Sequence, residues 1–262
     1  MELQIYIPSY NRPNAPLIKK LRDAGIPFTI VLDHENDLET YKSLENEVTK
    51  IMFIQPAQGI GYVRQRIKDC YDGKPIIMLD DDTQLRLRDF EEPKHLPVVK
   101  NAEQVKEWFD CVERFCIENQ FDIGTVSDSA FSWDDTRKLL RTIPCCSVTI
   151  FNSGRCKEID YDKFLYKRME DWDLIMQAIT KHFEFLACNE VLRHCPMNKS
   201  AKDVGGCSEI YRDKGIMYRT TSYLVQKWGS DIVTLRRNKN IGECYDFKVD
   251  LGKLRKRYGY KY

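Results

Sequence analysis

The sequence predicts an α/β protein with a mixed, mostly parallel central sheet flanked by helices, and three observations support this. Short apolar runs alternate with amphipathic stretches through the first half of the chain. Polar or glycine-containing segments follow those runs. The chain has 262 residues, of which 42% are hydrophobic, so it can bury a large core. Because neither a repeat nor a low-complexity linker interrupts the pattern, we expect one Rossmann-like domain over residues 1–262.

The sequence of the first part of this domain, residues 1–90, predicts four strands. In chain order, these are the segments LQIYIPSY, PFTIVLD, KIMFIQP and PIIMLDDD. A helix in NAPLIKKLRDAG closes at Gly25, and another begins at the glycine turn of GIGYVRQRI. The order βαβαβαβ predicts right-handed crossovers and a parallel sheet whose ligands bind at the carboxyl ends of the strands.

The second part, residues 91–262, is less regular. We expect a helix in AEQVKEWFDCVERFCIEN, strands in FDIGTVSD and CSVTIFN, a helix near MEDWDLIMQAITKH and a strand in FEFLACNEVL. The polar residues 196–210 are a candidate loop that folds over a ligand. A final helix near GIMYRTTSYLVQKWG precedes a basic, tyrosine-rich C-terminal tail, KVDLGKLRKRYGYKY.

Charge and cysteine content exclude some classes of protein. Lys and Arg number 41 against 40 Asp and Glu, so any surface for a polyanion must be local. Ten cysteines show no CxxC pair, and with no secretory leader pattern we expect them to be reduced. A zinc site of Cys188, His194, Cys195 and Cys207 fits no standard spacing. No run approaches the length of a membrane span, so we expect a soluble cytoplasmic protein without a membrane partner.

Three consecutive aspartates, Asp80, Asp81 and Asp82, follow the apolar run IIML directly. One interpretation is a solvated turn. A second is the DxDx[TV] nucleophile of a haloacid-dehalogenase-type phosphohydrolase, but Gln84 stands where Thr or Val belongs. A third is a DxD motif. Carboxylate oxygens suit Mn²⁺ or Mg²⁺, and such an ion neutralises charge on a departing diphosphate.

The motifs around these aspartates resemble those of the GT-A class of nucleotide-sugar glycosyltransferases. IPSYNRP resembles the first-strand signature of the class, VLDHEND its second strand end, and GIGYVRQRI its glycine-led helix. The resemblance implies a donor site in the first part of the chain, with Asp80 and Asp81 near the ribose and sugar hydroxyls. The donor-binding residues implied are Pro8, Ser9, Tyr10, Arg12, Asp33, Gly61, Arg64, Asp80 and Asp81.

In this interpretation, the second part of the chain carries the catalytic carboxylates. Met169, Glu170 and Asp171 match the xED pattern of the class, which implies Asp171 as the general base and Glu170 as an acceptor-positioning neighbour or the alternative base. Direct displacement would invert the anomeric carbon. Acidic residues also favour a first helical turn, so a capping cluster is the structural alternative.

His194 follows the last predicted strand of this region. Many GT-A enzymes complete their metal shell with a C-terminal histidine, so the resemblance implies Asp82 and His194 as the protein ligands of Mn²⁺ or Mg²⁺. A hydrogen-bonded strand-end histidine is the alternative. A UDP-sugar donor is expected by analogy with the class.

The compact MLDDD, the MEDWD helix start and the later histidine are most similar to glycosyltransferases associated with TET-type dioxygenases in bacteriophages, relatives of the base J glucosyltransferases. This resemblance implies a DNA acceptor with a hydroxymethylated pyrimidine, reached through a local basic surface. The basic tail mixes cations with tyrosines, which suits phosphates and bases, although a solvated terminus explains it equally. A transferase for a polysaccharide, glycan or protein, and a binding module without turnover, remain the alternatives.

Overall fold

The computed structural model describes residues 2–92, 94–132, 134–141, 147–194, 213–238 and 244–261. The loop predicted at 196–210 lies outside these ranges. The strands are β1 Gln4–Pro8, β2 Phe28–Leu32, β3 Thr49–Phe53, β4 Ile76–Leu79, β5 Gln84–Leu87, β6 Ile123–Asp128, β7 Leu139–Leu140, β8 Val148–Phe151, β9 Phe185–His194, β10 Val233–Asn238 and β11 Cys244–Val249. The α-helices are α1 Pro16–Ala24, α2 Glu35–Lys42, α3 Ile60–Lys68, α4 Ala102–Glu118, α5 Glu170–Thr180, α6 Lys214–Trp228 and α7 Leu251–Tyr258.

Nine of these strands form one mixed sheet in the order β3-β2-β1-β4-β8-β6-β9-β5, with β7 paired to β9. The first four strands are parallel, as the alternating pattern predicts. Strand β8 runs antiparallel to β4, and β6 runs parallel to β9. The α/β class and the mixed sheet are therefore confirmed.

The sheet is buried on both faces, which explains why strands such as β4 read as continuous apolar runs. Helices α1 and α4 cover one face, where Leu21 and Trp108 are fully buried. Helices α3, α5, α6 and α7 contribute to the core on the other face, where Ile67 and Leu254 are fully buried. The site described below lies where the second face meets the carboxyl ends of the parallel strands.

Three features differ from the predicted elements. Helix α2 follows β2, although its sequence ENDLETYK offers few apolar residues and buries mainly Tyr41 and Asp37. Strand β5 forms two residues after the aspartates and pairs antiparallel with β9. The helix predicted at 215–229 is present as α6, but it is not the final helix, because a hairpin of β10 and β11 and helix α7 follow it.

The C-terminal segment is thus folded against the domain. Tyr260 donates a hydrogen bond from its hydroxyl to the Phe183 carbonyl, 2.6 Å away, at the end of α5 remote from Glu170. Lys253 and Lys256 stay exposed on α7. In the part of the chain that the structure describes, every helix is too short or too polar to cross a bilayer.

Candidate active site

The candidate site gathers residues from the carboxyl ends of β1, β2 and β4. Ser9 follows β1, Asp33 follows β2, and the three aspartates follow β4. Because these strands are parallel and adjacent, the residues after them meet at one edge of the sheet. The sequence separation between Ser9 and Asp81 is 72 residues, yet their side chains are hydrogen-bonded.

Asp81 is the most enclosed member of the triplet by exposed surface, at 5%. Its Oδ2 accepts a 2.5 Å hydrogen bond from the Ser9 hydroxyl. The Ser9 Oγ lies 2.8 Å from the hydroxyl of Tyr41, which also accepts from the backbone N–H of Arg12 at 2.8 Å. Since Ser9 donates to Asp81, Tyr41 donates to Ser9, and a chain of hydrogen bonds joins α2 to the aspartates.

Arg12 connects Asp81 with Asp82. Its Nη1 lies 3.1 Å from Asp81 Oδ1 and 3.1 Å from Asp82 Oδ2. Two carboxylate oxygens from successive residues therefore converge on one cationic atom. Hard oxygen donors arranged in this way are the ligands that Mg²⁺ and Mn²⁺ prefer, so the residues present fit a divalent cation.

Burial governs the acidity of the triplet. It raises the pKa of Asp81 to about 6, against the lowering effects of the Ser9 hydrogen bond and the Arg12 charge. Burial also raises the pKa of Asp80, while Arg64 opposes this shift. Like charges on neighbouring carboxylates raise both values further, so the triplet gains from any added cation.

The start of α3 is packed tightly against the start of α5. The Gly61 N–H donates to the Tyr166 carbonyl at 2.7 Å. A Cβ at Gly61 would lie 2.7 Å from the Cα of Tyr166 and 3.0 Å from the Cβ of Glu170, so only glycine fits. Gly59 has a φ of 105°, and its N–H donates to Asp33 Oδ2 at 3.2 Å. The glycines predicted at a ligand turn thus also set the spacing of the two helices.

Arg64 joins the two carboxylate clusters. Its Nη2 donates to Asp80 Oδ1 at 2.8 Å and its Nη1 to Glu170 Oε1 at 2.7 Å. Arg64 is 6% exposed and Glu170 is 4% exposed. One buried guanidinium therefore fixes the end of β4 to the beginning of α5, and its pKa is raised well above the usual value by Asp80 and Glu170, which outweigh burial.

Arg64 binds two carboxylates here, and Asp171 follows directly after one of them, Glu170. Burial, followed by the charge of Asp171, raises the pKa of Glu170 to about 8 despite the Arg64 contact. Asp171 is less buried than Glu170, and its Oδ1 accepts from the N–H of Trp172 at 2.7 Å. Its charge also raises the pKa of Asp80, which places the two carboxylates within electrostatic reach of each other.

The turn into α5 has unusual backbone geometry. Met169 has a φ of 67° although it is not glycine, and it is 3% exposed. Such conformations cost roughly 1–3 kcal/mol and tend to occur at functional sites. Here the conformation directs Glu170 inward toward Arg64 and begins the helix that carries Asp171.

His194 lies at the same edge of the sheet. It is the last residue of β9 and pairs with Gln84, two residues after Asp82. The pairing of β6 with β9 shifts register between Val126 and Ser127, so the last part of β9 bends away from its earlier course. Within the described ranges, no three His, Cys, Asp or Glu side chains form a group able to hold a metal ion.

The structure therefore brings together most of the residues predicted for the site. Pro8 ends β1, and the Tyr10 ring lies 4.5 Å from the His34 ring beside Asp33. Sequence inspection missed Tyr41, whose only signal is one aromatic residue in a polar helix. The Trp172 ring, next to Asp171, packs edge-on against Phe247.

The sequence is similar to known glycosyltransferases. A family model described as "TET-Associated Glycosyltransferase" matches residues 3–206. The "Beta-glucosyl-HMC-alpha-glucosyl-transferase" of Enterobacteria phage T6 is 24% identical over 222 residues, covering 79% of this chain and 75% of that protein.

Solved structures support the same fold. Residues 1–349 of S. aureus TarS superpose with a TM-score of 0.50 at 14% identity, covering 74% of this chain and 59% of that one. A second S. aureus TarS structure gives a TM-score of 0.51 at 12% identity, covering 86% of this chain and 40% of that one. This chain thus spans about half the length of these structural relatives, and the likeness confirms the GT-A fold alone.

Proposed function

Because the chain belongs to the TET-associated glycosyltransferase family and is a glycosyltransferase, we propose that it transfers a sugar from a nucleotide-sugar donor to a hydroxymethylated pyrimidine in DNA. The relative from phage T6 is named for a glucosyl-HMC acceptor. We infer that bacteriophage DNA is the natural acceptor of this chain as well, in either the bare or the already glucosylated form.

The donor site is assigned to the edge of the sheet formed by β1, β2 and β4. Asp33 and Tyr10 would contact the nucleoside, while Asp80 and Asp81 would accept hydrogen bonds from ribose and sugar hydroxyls. Asp82 and His194 would hold Mn²⁺ or Mg²⁺, which supplies positive charge against the departing diphosphate. Since no third side chain joins them among the described residues, phosphate oxygens and water would complete the shell.

Arg12 has a specific task in this proposal. In the described conformation its guanidinium lies between Asp81 and Asp82. With an ion held by Asp82, the Arg12 guanidinium would be available to donor phosphate oxygens, which it could hold with two parallel hydrogen bonds.

The general base is assigned to Asp171. Glu170 is buried and its Oε1 is bound to Arg64 at 2.7 Å, so it is poorly placed to take a proton from an acceptor hydroxyl. Asp171 is the more accessible of the two. Proton removal from the acceptor hydroxyl by a side-on carboxylate supports a single displacement at the anomeric carbon, which inverts it.

The observation that carries the proposal is the Arg64 bridge. By joining Asp80 to Glu170, Arg64 holds the aspartates after β4 at a fixed spacing from the start of α5, which carries Asp171. A binding module without turnover would not need the second carboxylate cluster held against the first.

The test has two steps. Nucleotide sugars are first screened with Mn²⁺ and with Mg²⁺ for thermal stabilisation, and we expect a UDP-sugar with metal to give the largest shift. Duplexes containing cytosine, hydroxymethylcytosine or glucosylated hydroxymethylcytosine are then incubated with that donor and analysed by mass spectrometry. Addition of one sugar mass to the hydroxymethylcytosine duplex or to its glucosylated form, but not to the cytosine duplex, supports the proposal. Transfer to a glycan or protein but to no DNA would overturn the acceptor assignment.

A further inference from the structure

Phe131 is the most exposed large apolar side chain among the described residues, at 83%. It belongs to the turn 128–132 that follows β6. An aromatic ring in water contributes little to the fold, so its flat apolar face is available for stacking on a partner.

The turn is rigid. Asp128 accepts from the N–H groups of Phe131 and Ser132 through its carbonyl, at 3.1 Å each, and from the Ala130 N–H through Oδ1 at 2.8 Å. The Ser132 carbonyl accepts in turn from the buried Arg88 guanidinium at 2.5 Å. The backbone that carries Phe131 is therefore held in place by hydrogen bonds on both sides.

The turn is also attached to the candidate site. The Ser129 N–H donates to the carbonyl of Arg193 at 2.8 Å, and Asp128 Oδ2 lies 3.2 Å from Arg193 Nη1. Arg193 directly precedes His194, the candidate metal ligand. Phe131 thus stands at the same edge of the sheet as the reacting groups, whereas the exposed Ile117 lies on α4, which precedes the opposite end of β6.

The depth of the reacting groups constrains how DNA can approach. The assigned base, Asp171, is only partly exposed and lies in the first turn of α5 beside Glu170, which is 4% exposed. A pyrimidine stacked inside a duplex cannot bring its substituent to a partly buried carboxylate, so the target nucleotide must leave the stack. Extrusion leaves a gap, and proteins that unstack DNA fill such gaps with apolar side chains.

We propose that Phe131 inserts into the duplex beside the extruded nucleotide and stacks on the neighbouring base. This inference rests on the proposed function, because it requires DNA as the acceptor. The ring supplies a flat apolar face on a preformed turn, so little conformational freedom is lost on insertion. The basic segment around α7 does not supply this stacking ring, because its Tyr260 is directed inward at the end of α5 remote from Glu170.

The experiment compares Phe131→Ala, Phe131→Trp and the matched surface variant Ile117→Ala. Acceptors are a duplex and a single strand of the same sequence, each with one hydroxymethylcytosine. We expect Phe131→Ala to lower kcat/KM on the duplex about tenfold or more and on the single strand less than about twofold, since a single strand has no stack to open. Phe131→Trp should retain duplex transfer, and Ile117→Ala should match the wild type.

A binding readout independent of turnover uses 2-aminopurine next to the target position in the duplex. Wild-type protein should change its fluorescence, and Phe131→Ala should abolish the change. Equal duplex and single-strand losses, or no loss with Phe131→Ala, would overturn the role of Phe131 while leaving the proposed function standing. Failure of the wild type to modify either DNA, whether the hydroxymethylcytosine is bare or glucosylated, would instead refute the proposed function itself.

Discussion

Arg64 and Glu170 are 106 residues apart in the chain and form a 2.7 Å ion pair with less than 7% of either residue exposed. The second branch of the same guanidinium binds Asp80 at 2.8 Å. The pair is therefore both a structural connection between β4 and α5 and a determinant of the protonation state of the xED carboxylates. Removing the Arg64 side chain should therefore lower both the free energy of unfolding and the rate of sugar transfer.

Replacing Arg64 with Met should destabilise the protein by about 3–5 kcal/mol, because it leaves two buried carboxylates without their cation. The free energy of unfolding, measured with denaturant, checks this. Arg66→Met on the same helix is the control, since Arg66 is half-exposed and its pair with Asp69 is worth at most about 1 kcal/mol. If the two variants had equal free energies of unfolding, the contacts of Arg64 with Asp80 and Glu170 would not stabilise the fold.

Replacing Asp171 with Asn should abolish most of the transfer while leaving donor affinity unchanged, because the amide cannot accept a proton but keeps the shape of the carboxylate. We expect a loss of about 10²–10⁴-fold in kcat. Donor affinity is measured by calorimetry with the best nucleotide sugar and metal. Asp110→Asn, exposed on α4, is the matched control. Transfer within a few-fold of the wild type would remove Asp171 from its assigned role.

Replacing Glu170 with Gln should alter the pH dependence of stability. Burial and Asp171 raise the pKa of Glu170 from 4.5 to about 8, so the folded protein binds this proton more tightly than the unfolded chain does. Stability should thus be highest below about pH 4.5 for this group and fall as pH rises toward 8, by a few kcal/mol at about 1.4 kcal/mol per pKa unit.

The measurement for Glu170 is the unfolding free energy between pH 5 and pH 9 (roughly the range of the titration). Gln retains an oxygen for Arg64 but cannot ionise, so the variant should lose this part of the slope and become relatively more stable above pH 8. Glu118→Gln on the exposed end of α4 should keep the wild-type slope. Parallel curves for the wild type and Glu170→Gln would refute the raised pKa.

The sequence predicted the parallel strands because strands buried on both faces are continuous apolar runs, as IIML is in β4. It predicted that Ser9, Asp33 and the three aspartates lie close together because polar groups after parallel strands meet at one edge. It could not predict that Arg64 binds Glu170, since that contact depends on how the end of β4 and the start of α5 approach each other. The order βαβαβαβ requires a helix between β2 and β3, but the bounds of α2 were not predicted because its polar sequence carries little periodic signal, and Tyr41 was missed with it.

Replacing Tyr41 with Phe tests that missed residue. The change removes the hydroxyl that accepts from the Arg12 N–H and donates to Ser9, so two buried polar groups lose a partner at a cost of about 1–3 kcal/mol. Because Arg12 and Asp81 are positioned through this chain, KM for the donor should rise more than kcat falls. Tyr258→Phe, on exposed α7, should change neither quantity. An unchanged donor KM would show that Tyr41 serves packing alone.

Replacing Gly61 with Ala tests the close packing of α3 on α5. The added methyl would lie 2.7 Å from the Tyr166 Cα, a backbone atom that can move only with the turn into α5, and 3.0 Å from the Glu170 side chain. Overpacking of this kind costs about 1–3 kcal/mol and should move Glu170 away from Arg64. We therefore expect a lower melting temperature together with a fall in kcat. Gly154→Ala is the control, since a Cβ there meets no atom within 4 Å and its φ is not positive. If Gly61→Ala unfolded like Gly154→Ala and kept full transfer, the contact between the two helices would not be what sets the spacing of the carboxylate clusters.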